Sequence, residues 1–220
     1  MLWGEYTSLV ANESIGFKES VKLLKARSKA MQESMPLGTG GMIALIGCQK
    51  EIIKEVIKSS SKYGKIYEAN DNAIGQVVLS GEIKAIHFIL ENVKKLGIRK
   101  AIKLPVSAPF HCELMMHASD VMKEELNDIK FNHFKVPLYS NVTSDVCTEV
   151  DIADLLVKQV ISKVRWREIV ENMIQAGFNN FIEIGPGNVL TNLVKRTSNN
   201  INAYSISTVD DLEKISNIRL

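Results

Sequence analysis

The spacing of apolar residues changes several times along the chain, and each change predicts an element. Phe17, Val21, Leu24, Met31 and Met35 recur at intervals of three, four and seven residues. That rhythm predicts an amphipathic helix over residues 15–35. Pro36 stops it, because the residue before a proline avoids helical geometry. A short mixed stretch over residues 5–12 also reads as helix. Leu37-Gly38-Thr39-Gly40-Gly41 reads as a flexible linker.

The next 65 or so residues follow another rhythm. Residues 42–46 form an apolar run of strand length. Residues 49–60 are helical, with Ile52, Ile53, Val56 and Ile57 on one side. Strands over 65–69 and 76–79 flank the turn formers Asn70-Asp71-Asn72-Ala73-Ile74-Gly75. A helix over 82–96 stops at Gly97, and a strand follows over 100–106. The order β-α-β-β-α-β is the ferredoxin-like pattern, four antiparallel strands backed by two helices.

Beyond it, residues 109–129 predict one long helix with Leu114, Ala118, Val121, Met122 and Leu126 inward. A strand over 136–140 and helices over 151–162 and 165–176 follow. A strand over 181–184, a helix over 188–197, a strand over 203–206 and a short helix from 210 complete the chain. Strands alternating with helices predict a parallel sheet covered by helices. The expected class is α/β, with residues 1–40 and 107–220 forming one domain and 41–106 a subdomain inserted into it.

Composition narrows the function classes. The 220 residues are 45% hydrophobic and 24% charged, which suits a globular chain with a sizeable core. The 27 basic and 25 acidic residues are well mixed, so no nucleic-acid or membrane surface is expected. Cys48, Cys112 and Cys147 are odd in number and far apart, which argues for a reducing compartment and against a disulfide framework. Neither they nor His87, His111, His117 and His133 have metal-ligand spacing. No apolar run is long enough to span a bilayer, and no leader pattern is visible. A cytoplasmic protein is expected.

A few residues could carry chemistry. His111 falls in the first turn of the helix expected from Pro109, whose positive end disfavours an imidazolium and so suits a neutral general base. It could equally cap or pack that helix start. Arg27 borders the apolar face of its helix. It could clamp a carboxylate, form an internal ion pair, or reach solvent along its stem. Gly185-Pro186-Gly187 is either a plain tight turn or a turn that also walls a pocket at the strand ends. Asn70 and Asn72 are open between turn chemistry and pocket lining.

The joint order of several motifs adds to these readings. They are Gly4-Glu5-Tyr6-Thr7, the helix around Arg27, Asn70 to Val78, and Ser107-Ala108-Pro109-Phe110-His111-Cys112. Gln159 with Val164-Arg165-Trp166, and Glu183-Ile184-Gly185-Pro186-Gly187-Asn188-Val189-Leu190, complete the set. Together they resemble the malonyl-CoA:acyl carrier protein transacylases over nearly the whole chain.

That resemblance implies a partial α/β-hydrolase-like acyltransferase core with an inserted ferredoxin-like subdomain. It implies transfer of malonyl from CoA to the phosphopantetheine thiol of acyl carrier protein in fatty acid biosynthesis, with malonyl-CoA as substrate and no bound cofactor or metal. It makes His111 the base, oriented by the backbone carbonyl of Gln159, and Arg27 the holder of the malonyl carboxylate. Met31 and Asn72 would line the pocket, and Phe110 agrees with a malonyl preference.

The pattern departs at the start. The family reads Gly-His-Ser-x-Gly-Glu-Tyr where this chain reads Met1-Leu2-Trp3-Gly4-Glu5-Tyr6, so Leu2 takes the place of the nucleophilic serine. A Gly-Gln-Gly segment that helps build the oxyanion hole has no counterpart either. The expectation is an N-terminally truncated transacylase. The alternative is a non-catalytic module that binds carrier protein or CoA. Cys112 is a poor substitute nucleophile, because it directly follows His111 and cannot easily face it on a helix.

Overall fold

A computed structural model describes residues 4–216, with side chains described through Glu213. Leu2 lies outside the described residues. The chain opens with two helices, α1 (Gly4–Ala11) and α2 (Phe17–Glu33). The apolar face expected for α2 is rotated. Phe17 is 73% exposed and Val21 is also exposed, while Ser20, Leu23, Arg27, Ala30 and Met31 are buried. The inward stripe contains a serine and an arginine, so hydrophobicity alone could not locate it.

Four strands follow in one sheet with two helices. They are β1 (Gly40–Ile46), α3 (Lys50–Ser60), β2 (Ile66–Ala73), β3 (Gln76–Glu82), α4 (Ile83–Glu91) and β4 (Lys100–Lys103). The sheet order is β2-β3-β1-β4 and every pairing is antiparallel. This is the ferredoxin-like arrangement. Along β1 the side chains alternate. Ile43 and Leu45 join Ile53, Val56, Ile86 and Ile89 under the helices. Met42 and Ala44 face the other way, toward Val78, Val106 and Phe110.

Four expectations for this region change. Gly40 and Gly41 are not linker but the start of β1, paired with Glu82 and Gly81. Residues 70–73 are not a loop. They continue β2, whose register shifts between Glu68 and Asn70 and again between Asp71 and Ala73. Such bulges let a strand carry polar residues and turn their side chains off the ladder. The helix expected to reach residue 96 ends at Glu91, and the strand expected to reach 106 ends at Lys103.

Gly40 also joins the sheet to the loop that carries His111. A Cβ there would lie 2.4 Å from Cδ of Pro109, a ring that cannot swing aside. Gly40→Ala is therefore expected to cost about 1–3 kcal/mol. At roughly 2–4 °C per kcal/mol for a chain of this size, a thermal melt should drop by several degrees. An unchanged melting temperature would show that this contact relaxes freely.

The remaining elements are α5 (Met116–Leu126), β5 (Leu138–Tyr139), β6 (Val146–Cys147), α6 (Ile152–Ile161), α7 (Trp166–Gln175), β7 (Asn180–Ile184), α8 (Val189–Thr197), β8 (Asn202–Ile206) and α9 (Val209–Ser216). The long helix expected over 109–129 is shorter. Residues 109–112 are loop, Glu113–Met115 is a 3-10 turn, and α5 begins at Met116. Of its expected inward residues, Leu114 and Val121 are only partly buried. The strand expected over 136–140 is a two-residue arm of a hairpin with β6. Parallel pairing occurs between β7 and β8, and among the described residues β7 has no other strand beside it. Ile184 on β7 is 82% exposed.

The main core lies among α1, α2, α5 and α6. It contains Tyr6, Leu9, Leu23, Met31, Met115, Met122, Ile152 and Leu156. Ion pairs fasten the antiparallel sheet to this body. Arg167 on α7 binds Asp71 at 2.7 Å, and Lys163 binds Glu68 at 3.3 Å. Val164 bridges β2 through Asp71 N–H to Val164 O at 2.9 Å and Val164 N–H to Ala69 O at 2.8 Å. Among the described residues no helix is long and apolar enough to cross a membrane.

Candidate active site

The face of the sheet carrying Met42 and Val78 is one wall of a cavity of about 850 Å³. Asn70, Asn72, Phe110, His111, Gly185 and Pro186 line it as well. The bulges of β2 bring in the two asparagines. The turn after β7 brings in Gly185, whose φ of 139° favours glycine, and Pro186. Arg27 and Gln159 lie beneath, in the packed interior. Met31 is not on the wall. It is 2% exposed within the helical core, as buried as Arg27.

His111 differs most from its sequence reading. It is not in a helix. Its φ is +60°, a left-handed conformation that histidine adopts more readily than most side chains but still at a cost. The side chain is 1% exposed. Its Nδ1 lies 3.0 Å from the backbone oxygen of Gln159. A carbonyl only accepts, so Nδ1 carries the hydrogen and Nε2 carries the lone pair. Nε2 has no hydrogen-bond partner among the described residues. The expected helix dipole is absent, yet the ring is held neutral all the same. Burial, and then the nearby Arg27 charge, lower its pKa from 6.5 to about 4.

Helix ends explain why the Gln159 carbonyl is available. α6 closes at Ile161, so the carbonyls of its last turn, Gln159 among them, have no intrahelical donor. His111 supplies one. The side chain of Gln159 is engaged separately. Its Oε1 accepts from Nη2 of Arg27 at 3.3 Å, and its Nε2 donates to the carboxyl of Glu5.

Arg27 is 2% exposed, and its Nε has no partner among the described residues. Among the described residues no carboxylate comes within ion-pairing distance of it. Burial lowers its pKa, and the neighbouring Tyr6 and Glu5 act against that. Glu5 is itself buried, and burial pushes its carboxyl upward against hydrogen bonds from Asn141 and the charge of Arg27. Burial likewise pushes the Tyr6 hydroxyl up to about 12. Cys112 is no nucleophile here. Its thiol donates to the Pro109 carbonyl at 3.1 Å, and burial raises its pKa. Among the described residues no cluster of histidine, cysteine or acidic side chains could hold a metal.

Sequence reasoning missed Glu5, Tyr6 and Asn141 as members of this network. Glu5 and Tyr6 were read as part of a motif without a role. Asn141 N–H reaches Glu5 across 136 residues, a contact that no local pattern encodes.

The acyl transferase domain family matches residues 3–215. The chain belongs to that family. Its similarity to the malonyl CoA-acyl carrier protein transacylase of Bacillus subtilis is 39% identity over 212 residues, covering 96% of this chain and 67% of the relative. Among solved structures, the transacylase of the same name from Clostridium perfringens superposes with a TM-score of 0.91 at 41% identity, covering 97% of this chain and 67% of that one. A malonyl-transacylase solved in complex with its type II PKS acyl-carrier protein gives a TM-score of 0.92 at 36% identity, covering 97% and 70%. The acyl transferase chain described here thus shares their α/β fold over nearly all its length.

Proposed function

We propose that this chain recognises malonyl-CoA and belongs to the machinery that moves malonyl from CoA to the phosphopantetheine thiol of an acyl carrier protein. The observation that carries the reading is Arg27, a buried guanidinium without a carboxylate partner, joined through Gln159 to a neutral histidine that lines a cavity. A buried cation without a partner is costly, and a substrate carboxylate can supply two parallel hydrogen bonds to it. The names of the relatives support the same substrate and acceptor.

In the transfer, a hydroxyl oxygen attacks the thioester carbonyl and the C–S bond breaks. Nε2 of His111 takes the hydroxyl proton and returns it to the departing thiolate. Asn72 and Phe110 bound the acyl group. Leu2 offers no hydroxyl, which favours a second reading in which the chain binds malonyl-CoA or carrier protein without forming an acyl-enzyme.

Intact mass after incubation with malonyl-CoA separates the two. The chain as it stands is expected to keep its mass, and Leu2→Ser is expected to gain one malonyl group at residue 2. If Leu2→Ser binds malonyl-CoA but gains no mass, the chain is a binding module. If neither form binds malonyl-CoA more tightly than acetyl-CoA, the substrate assignment is wrong.

A further inference from the structure

Glu5 occupies a position that the acyl-transfer chemistry does not itself require. It sits on α1, 4% exposed, and touches neither the cavity wall beside His111 nor the guanidinium directly. One carboxyl oxygen accepts from the backbone N–H of Asn141 at 2.6 Å, and the other accepts from Nε2 of Gln159. Both contacts demand an acceptor, and a carboxylate is a pure acceptor.

Gln159 is a branch point. Its side-chain oxygen faces Arg27, and its backbone oxygen faces His111. An amide can turn over, exchanging its oxygen and nitrogen. The partners on each side decide which way it sits. Arg27 offers only donors, so the amide must present oxygen there. Its NH₂ then has to find an acceptor on the opposite side, and Glu5 is the one that receives it. Without that acceptor the amide is free to turn, and donor would then face donor at Arg27.

We propose that Glu5 is the positioning residue of this site, fixing the Gln159 amide so that its oxygen stays on Arg27. The arrangement also keeps the carboxylate one amide away from Arg27. A direct Glu5–Arg27 pair would satisfy the guanidinium and compete with any incoming anion. With Gln159 between them, the negative charge stabilises the buried cation without occupying its hydrogen-bonding edge. The assignment of Arg27 to a substrate carboxylate rests on the function proposed above. The orientation of the Gln159 amide does not.

The test is Glu5→Gln, which keeps the shape and removes one of the two acceptors. Two readouts apply to the folded chain. Nuclear Overhauser contacts of the Gln159 side-chain NH₂ report which way that amide faces without ligand. Calorimetry gives the affinity for malonyl-CoA relative to acetyl-CoA. Glu5→Gln is expected to mix the two orientations of the Gln159 amide and to lower the malonyl preference by about tenfold or more. A purely structural residue would lower stability and leave both readouts alone, and that result overturns the proposal.

Should Glu5→Gln fail to fold, Gln159→Met cuts the same link from the other side and keeps the backbone carbonyl. A malonyl preference equal to that of the unaltered chain would then overturn the proposal, and a fall of similar size would support it. If the unaltered chain shows no malonyl preference, the proposed function fails while the orientation of the Gln159 amide still decides the role of Glu5.

Discussion

Arg27→Ala is expected to erase the preference of this chain for malonyl-CoA over acetyl-CoA. The two ligands differ by one carboxylate, and under the proposed function Arg27 is the buried cation that receives it. Removing one member of a buried, hydrogen-bonded charge pair costs about 2–5 kcal/mol, which is between about thirtyfold and several thousandfold in affinity. Affinity for acetyl-CoA, which lacks that carboxylate, should change little. Calorimetric titration with both thioesters reads the ratio. A ratio unchanged from the parent chain would mean that the carboxylate is bound elsewhere.

The second large effect is on stability in acid. The folded pKa of His111 is lowered to about 4, so the unfolded chain takes up the proton first as pH falls. Native stability linked to this group is therefore full above the ordinary value of 6.5 and drains away as pH falls toward 4. At about 1.4 kcal/mol per unit, the loss over that window is roughly 3 kcal/mol. Glu5, whose carboxyl is raised, contributes with the opposite sign, since its folded form holds a proton more readily. A comparison that leaves Glu5 in place cancels its share to first order. His111→Gln is expected to flatten the decline in urea midpoint between pH 6.5 and 4.5. An equally steep decline in that variant would assign the acid sensitivity to other groups.

How much of this was legible in the sequence depended on the range over which each feature is determined. The ferredoxin-like order was readable, because apolar runs of strand length alternate with helical spacings within some sixty residues. The end of α6 near residue 162 was readable too, and it determines that the Gln159 carbonyl is left without a helical donor. The identity of the family could be read from short motifs in order. Those motifs named Arg27, Met31, Asn72, Phe110, His111 and Gln159.

Other features were opaque for a physical reason in each case. Asn70 to Ala73 has the composition of a loop, but pairing with β3 and the Val164 bridge hold it as bulged strand. The buried stripe of α2 includes Ser20 and Arg27, and polar residues go inward only where distant partners satisfy them. His111 was expected at a helix start and instead takes a left-handed loop conformation, buried against α6.

The sequence by itself determined the α/β class, the family, and the residue types available for acyl transfer, because local periodicity and motif order are properties of the chain. Only the tertiary structure decided how those residues work together. It buried Arg27 with no carboxylate among the described residues within ion-pairing distance, fixed the tautomer of His111, and set Glu5 against Gln159 at a separation of 154 residues. Burial and hydrogen-bond partnership set the charge state of each group, and both arise from contacts between segments that are far apart in the chain.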